Sequence, residues 1–419
     1  MHIITKVLFK VMTMKRFQTS IWAFLLCFFL LFGNTFSAYA ASTSPTPADN
    51  TPNPSDSSLE LTAASAVLME TTTGTVLYEK NATQALPPAS ITKIMTLLLI
   101  FDALESGQIH LEDKVTVSEY AASMGGSQVF LEPGETQTVD TMIKCIAVAS
   151  ANDACVAMSE FICGTEEAFV AKMNERAQEL NMTSTHFVNC NGLDTDNHVT
   201  SALDVSLMSR ELITKYPEVS NYSTIWMDTI VHSTKKGDSE FGLANTNKFL
   251  KMYEYATGLK TGSTGNAKFC VSATATKDGI PLIAVIMGAP DPNVRFKEAI
   301  NLLNYGFVKC KLYQDENKEP LSPVPVTFGV ENFVNFKYQS SFQYLDTSGA
   351  DLGGIQKEIV MNETHQAPIS KGEVAGKAVY TLNGKEIGSV PILYSSSVKK
   401  MEFSDCFKKI FQKYGMSKS

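Results

Sequence analysis

The 419-residue sequence lacks a positive balance: 35 lysines and arginines stand against 43 acidic residues, a net charge of −8. Neutralising a phosphate backbone needs the opposite excess, so general nucleic-acid binding is disfavoured. Metal-ligand spacing is missing too. The eight cysteines form no Cys-x-x-Cys pair and no Cys/His cluster, which removes the usual zinc arrangements. The apolar run from Ile21 to Phe32 falls short of the roughly 20 residues that a membrane-spanning helix needs.

That run has a different use. Lys6, Lys10, Lys15 and Arg16 precede it without any acid, and Ala38-Tyr39-Ala40 follows, the three-part layout of a secretory signal over 1–40 with cleavage after Ala40. Cys27 lies inside the apolar run, which argues against a lipoprotein site. Removing the leader subtracts four positive charges and takes the chain from −8 to −12. Seven cysteines remain, and an odd number leaves at least one thiol free. Their apolar surroundings favour buried thiols, with a Cys145–Cys155 pair as the alternative.

Residues 41–60 are mainly Ser, Thr, Pro, Asp, Asn and Ala, a flexible linker that has too little apolar surface to offset its ordering entropy. Folded structure is expected from about Leu61. Two short β-type runs around Thr71-Thr72-Thr73-Gly74 read as a hairpin. Pro87-Pro88 then stops extended structure, and Ile91 to Ala103 is apolar on nearly every face, the mark of a central buried helix. Further helices are expected over 138–148, 153–162, 166–180 and 202–213, and strands over 269–274 and 281–287. Helices packed on an antiparallel sheet make an α+β domain over 61–315. Residues 316–395 read as a small all-β domain whose clearest signal is the turn Asn383-Gly384 between alternating strands. Over 396–419, Phe403, Phe407, Ile410, Phe411 and Tyr414 share a stripe among Lys399, Lys400, Lys408, Lys409 and Lys413, a basic amphipathic helix suited to an anionic membrane surface.

Three strings carry the chemistry. Ser-x-x-Lys occurs four times, starting at Ser90, Ser233, Ser396 and Ser397, and the Ser90 copy alone opens a buried apolar helix. Ser90 and Lys93 therefore share a face, and burial lowers the amine pKa so that it can take the hydroxyl proton. Ser150-Ala151-Asn152 offers a hydroxyl to relay a proton and an amide to hold a carbonyl, although alone it also fits a helix N-cap. Lys260-Thr261-Gly262 occurs once. It reads as a turn leading into the strand near Phe269, where Gly262 admits a ligand backbone, Thr261 supplies a hydroxyl and Lys260 a positive charge. Together they make the kit of an acyl-serine enzyme.

These strings, with Leu86-Pro87-Pro88-Ala89 before Ser90, Asn189-Cys190-Asn191-Gly192-Leu193-Asp194 and Arg295-Phe296, resemble the penicillin-binding serine D-Ala-D-Ala carboxypeptidases of low molecular mass, a superfamily that the Ser-x-x-Lys and Lys-Thr-Gly strings typify. The resemblance implies a β-lactamase/transpeptidase-like fold and a reaction at the terminal D-Ala-D-Ala of peptidoglycan stem peptides, with β-lactams as covalent inhibitors. Ser90 would be the nucleophile, Lys93 the base, Ser150 the relay and Asn152 the orienting group. Lys260, Thr261 and Arg295 would hold the terminal carboxylate. The N–H groups of Ser90 and Ser263 would form the oxyanion hole, next to Gly262. No metal or organic cofactor is implied, and the outer face of the cytoplasmic membrane or the cell wall is the expected location. Some relatives have His where Asn191 stands, so that position receives no role. The alternatives are a D,D-endopeptidase using the same residues, a class A-type β-lactamase and a silent wall-binding module. The second lacks its Glu-x-x-Leu-Asn arrangement between Gly164 and Asn197.

Overall fold

The computed structural model describes residues 59–235 and 237–413. The expected leader and nearly all of the expected linker lie outside the described residues, as does Tyr414. Five antiparallel strands form the central sheet: β1 (Ser65–Glu70), β2 (Val76–Lys80), β3 (Ala256–Thr264), β4 (Lys268–Lys277) and β5 (Ile280–Ala289), in the order β2-β1-β5-β4-β3. Side chains alternate between its faces. Val67, Met69, Ile283, Val285 and Met287 enter one core, while Ala66, Leu68, Leu282, Ala284 and Ile286 enter the other. Both faces are covered, which explains why β1 and β5 read as almost continuous apolar runs.

The first core surrounds α1 (Lys93–Glu105), with α2 (Asn152–Cys163), α3 (Glu166–Glu179) and α4 (Ala202–Lys215) packed about it. Every residue of α1 from Lys93 to Phe101 is buried, as its all-round apolarity predicts. A single long helix, α5 (Pro292–Lys309), covers the other face through Phe296, Ala299, Leu302 and Leu303. The hairpin Met227–Thr234 with Gly237–Ala244 stands beside the helical side and leads through Thr246 towards β3. Most expected elements are present, with ends shifted by a few residues. The 138–148 segment is helical over Val139–Lys144 and then widens into a looser turn at Cys145–Ala149.

Lys260-Thr261-Gly262 departs from expectation. These residues lie within β3, paired with Ser272, Val271 and Cys270 of β4, rather than in a turn. The string is too short of apolar residues to look like a strand, yet Leu259 to Gly262 are all buried. All seven cysteines from Cys145 to Cys406 are free, so Cys145 and Cys155 do not pair.

The C-terminal region is all-β, as expected. Lys311–Asp315 pairs with Phe342–Asp346, and a four-stranded sheet includes the hairpin Val374–Leu382 with Lys385–Tyr394. Asn383 and Gly384 both have positive φ, 52° and 77°, as a tight two-residue hairpin turn requires. Helix α6 (Phe403–Lys413) follows, tied to the sheet region by Lys409 Nζ donating to Gly329 O and to Asn332 Oδ1. Its Phe403, Phe407, Ile410 and Phe411 are exposed. Among the described residues no helix is long and apolar enough to cross a membrane.

Candidate active site

Ser90 sits in a single 3-10 turn, Ala89–Thr92, that leads into α1. Ala89 holds φ +48°, a left-handed conformation that a residue with a Cβ keeps only under constraint from its surroundings. The constraint is visible. Thr92 Oγ1 donates to Ala89 O, and His198 Nε2 lies 2.8 Å from the same hydroxyl. His198 Nδ1 accepts the Val188 N–H at 2.9 Å, so Nε2 carries the proton and donates to Thr92. Burial pushes this histidine down to about 4, keeping it neutral. Gly192 seals the contact: a Cβ there would come within 1.9 Å of Ala89 O.

Lys93 is fully buried at the first position of α1. Its Nζ lies 3.1 Å from Ser90 Oγ and 2.6 Å from both Asn152 Oδ1 and Asn191 O. Burial lowers the amine pKa, against a smaller upward pull from Cys155, Cys190 and Asp153. In the neutral form that burial favours, the amine has two N–H groups and one lone pair. The two short contacts match the donors, and the longer one leaves the lone pair facing the Ser90 hydroxyl.

Ser150 ends the widened turn with φ +60°, a second non-glycine residue held left-handed. It is not the N-cap of α2, because Ala151 fills that position without a side-chain bond. Its hydroxyl accepts from Lys260 Nζ at 2.9 Å. Asn152 is buried, its Oδ1 accepting from Lys93 Nζ and its Nδ2 donating to Gly125 O at 2.7 Å. The next residue, Asp153, accepts the amides of Val129 and Leu131 and so fixes the segment that Asn152 touches.

On β3, Lys260 is buried and its pKa is lowered well below the ordinary value, first by burial and then by the charge of Lys93. Thr261 Oγ1 lies 3.2 Å from Thr246 Oγ1. Gly262 permits close approach: a Cβ there would lie 3.0 Å from the Ser90 and Ile91 nitrogens and 2.9 Å from Pro88 O. Ser263 is exposed beside it. Arg295 of α5 reaches the same strand from behind, its Nη1 donating to Gly262 O at 3.1 Å and to Cys270 O at 3.3 Å. Its buried Nε has no partner among the described residues.

Eight of the nine expected residues thus surround one edge of β3, and Arg295 braces that strand. The sequence reading missed Asn191, whose main-chain carbonyl binds Lys93, and also His198 and Glu166. Glu166 accepts both Cys190 N and Tyr120 OH, at 2.9 and 2.8 Å. A carbonyl leaves no trace in side-chain identity. Buried partners such as His198 and Glu166 sit in strings that look like ordinary surface sequence.

Comparison with known proteins agrees with this architecture. A family model described as D-alanyl-D-alanine carboxypeptidase matches residues 50–291, and one for the penicillin-binding protein 5 C-terminal domain matches residues 307–400. The D-alanyl-D-alanine carboxypeptidase DacF of Bacillus subtilis is 42% identical over 342 residues, covering 81% of this chain and 87% of its own. Penicillin binding protein 5 from Haemophilus influenzae matches with a TM-score of 0.60 at 30% identity, over 81% of this chain and 98% of that one. The PBP3 structure from Streptococcus pneumoniae matches with a TM-score of 0.64 at 27% identity, over 81% and 100%. With its acyl-serine geometry joined to the C-terminal domain of the same relatives, the chain belongs to the D-alanyl-D-alanine carboxypeptidase family of low-molecular-mass penicillin-binding proteins.

Proposed function

We propose that this chain removes the terminal D-alanine of peptidoglycan stem peptides through an acyl-serine intermediate, and that β-lactams acylate the same serine. The observation that carries the reading is Lys93, buried and 3.1 Å from Ser90 Oγ, with both amine hydrogens accounted for by Asn152 and Asn191. Ser90 Oγ attacks the carbonyl of the penultimate D-alanine as its proton passes to Lys93. The C–N bond then breaks, and the leaving amine takes a proton through Ser150. Water hydrolyses the ester and frees the serine. The N–H groups of Ser90 and Ser263 hold the developing oxyanion, a contribution of about 3–4 kcal/mol for one such donor in comparable acyl transfers.

Lys260 and Thr261 receive the terminal carboxylate. The hydrogen bond from Lys260 to Ser150 also ties this recognition group to the proton path, so Lys260 is assigned to both roles. Arg295 acts mainly through Gly262 O, holding the strand against the Ser90 turn. The reading also includes an exported protein acting at the outer face of the membrane or in the wall, a catalytic unit over 61–315, a β unit over 316–395, and a terminal helix that rests on the membrane surface. The exposed aromatic stripe of α6 supports the last point.

The test uses the mature chain, a fluorescent penicillin and a pentapeptide ending in D-Ala-D-Ala. Wild type should label covalently and release D-alanine, and Ser90→Ala should lose both by at least about a thousandfold. Equal labelling of a folded Ser90→Ala variant overturns the assignment.

A further inference from the structure

The loop over 189–194 is held in shape by its own side chains. Asn189 Oδ1 accepts the N–H groups of Asn191 and Gly192, at 3.3 and 2.7 Å, and Asn191 Oδ1 accepts that of Leu193 at 3.0 Å. Asn189 Nδ2 donates in turn to Leu193 O at 2.9 Å. Local bonds of this kind give a loop a fixed shape without help from a helix or sheet. Its middle is fastened to the reacting groups, through Asn191 O to Lys93 Nζ and through Gly192 against Ala89 O.

Its last residue is fastened elsewhere. Asp194 Oδ1 accepts the Thr264 hydroxyl at 2.7 Å, a short bond to a carboxylate, and Asp194 Oδ2 accepts the Asn266 N–H at 3.4 Å. With its proton directed to Asp194, Thr264 Oγ1 accepts the Ala267 N–H at 3.0 Å and so closes the turn that follows β3. This end of β3 needs such support. The strand is the edge of the sheet, bonded to β4 on one side only, and Ser263, Gly265 and Asn266 are exposed. Arg295 secures Gly262 O from behind, and Asp194 secures Thr264 from across the site.

We infer that Asp194 is a positioning residue for acyl transfer, whose bond to Thr264 fixes the Ser263 N–H against the Ser90 turn. The inference rests on the D,D-carboxypeptidase reading, which gives that N–H to the oxyanion. One loop thereby sets the base, the nucleophile turn and an oxyanion donor in a common frame. The oxyanion forms only as the serine attacks, so a displaced donor slows the reaction and leaves the terminal carboxylate bound by Lys260 and Thr261.

The test measures the acylation rate with a fluorescent penicillin, and kcat and KM with the pentapeptide ending in D-Ala-D-Ala. Asp194→Ala and, separately, Thr264→Val should lower the acylation rate and kcat about 10- to 100-fold while KM stays within about threefold of wild type. The double variant should be no slower than Thr264→Val alone, since both substitutions remove the same bond. Asp194→Asn keeps an acceptor and Thr264→Ser keeps a hydroxyl, so each should stay within about fivefold of wild type. Wild-type kcat in the folded Asp194→Ala variant, a loss confined to KM, or losses that multiply in the double variant overturn the inference. Failure of wild type to label or to release D-alanine would instead overturn the carboxypeptidase reading.

Discussion

At the level of single residues, the site depends on groups kept in unfavourable states by their neighbours, and His198 is the one whose state can be read from stability. Its ordinary pKa of 6.5 falls to about 4 on folding. The unfolded chain therefore binds a proton below pH 6.5 that the folded chain refuses, and stability present above 6.5 is lost as pH falls towards 4. The full loss amounts to about 3 kcal/mol. Urea unfolding of wild type and His198→Gln at pH 7 and pH 4.5 should show wild type losing about 2–3 kcal/mol more than the variant over that interval. Parallel losses would mean that the neutral Thr92–His198 bond is not retained in the folded protein.

Residue chemistry also set how far the site could be read from sequence. Ser90 and Lys93 were legible because an otherwise unbroken apolar helix makes one lysine conspicuous. Ser150 was harder, since Ser, Asn and Asp before a helix fit a cap equally well. Only the left-handed turn at Ser150, produced by the widened backbone of Cys145–Ala149, shows that its hydroxyl turns to Lys260 instead. Arg295 came from resemblance alone, and its distance along the chain hides that it bonds the carbonyl of Gly262.

Among the elements, the decisive contact is between the loop around 189–194 and the 3-10 turn of Ser90. No local pattern announces it, because the two are a hundred residues apart and meet through main-chain atoms. Lys93 bonds Asn191 O, Thr96 bonds Cys190 O, and Gly192 lies against Ala89 O. Replacing Gly192 by Ala introduces a Cβ 1.9 Å from that oxygen at a φ of +91°. The turn must move or the loop must lift. The expected result is a loss of about 2–4 kcal/mol of stability and at least a tenfold slower acylation by fluorescent penicillin. Wild-type acylation and an unchanged urea midpoint would show that the loop does not position the turn. Most helices and strands before Ile213 and the strands β4 and β5 were signalled by period, whereas α5 and the hairpin Met227–Thr234 with Gly237–Ala244 were not expected, and β3 was lost because Lys260 and Thr261, buried on its two faces, break the apolar pattern of a strand.

For the molecule as a whole, α6 presents Phe403 at 79%, Phe407 at 49%, Ile410 at 55% and Phe411 at 46% exposure. Burying such side chains in a lipid interface is worth roughly 1.5–3 kcal/mol for each one fully covered. The informative truncation ends the chain after Met401, because Val398 is a buried member of the β core that pairs with Ile369. The full chain should sediment with vesicles containing anionic lipid, and the truncated chain should remain in solution. Salt at about 0.5 M should weaken the interaction without abolishing it, since screening acts on the lysines and not on the aromatic stripe. Equal sedimentation of both chains would place membrane contact elsewhere.

Three buried basic groups, Lys93, Lys260 and Arg295, stand within mutual influence, and the neighbouring Asp153 carboxylate is engaged by backbone amides. Keeping a proton on either lysine therefore works against burial and against the other basic groups. On the proposed reading a ligand carboxylate would favour the protonated lysines, so occupancy and folding would be linked, and selection for a more stable resting protein would favour loss of these basic groups.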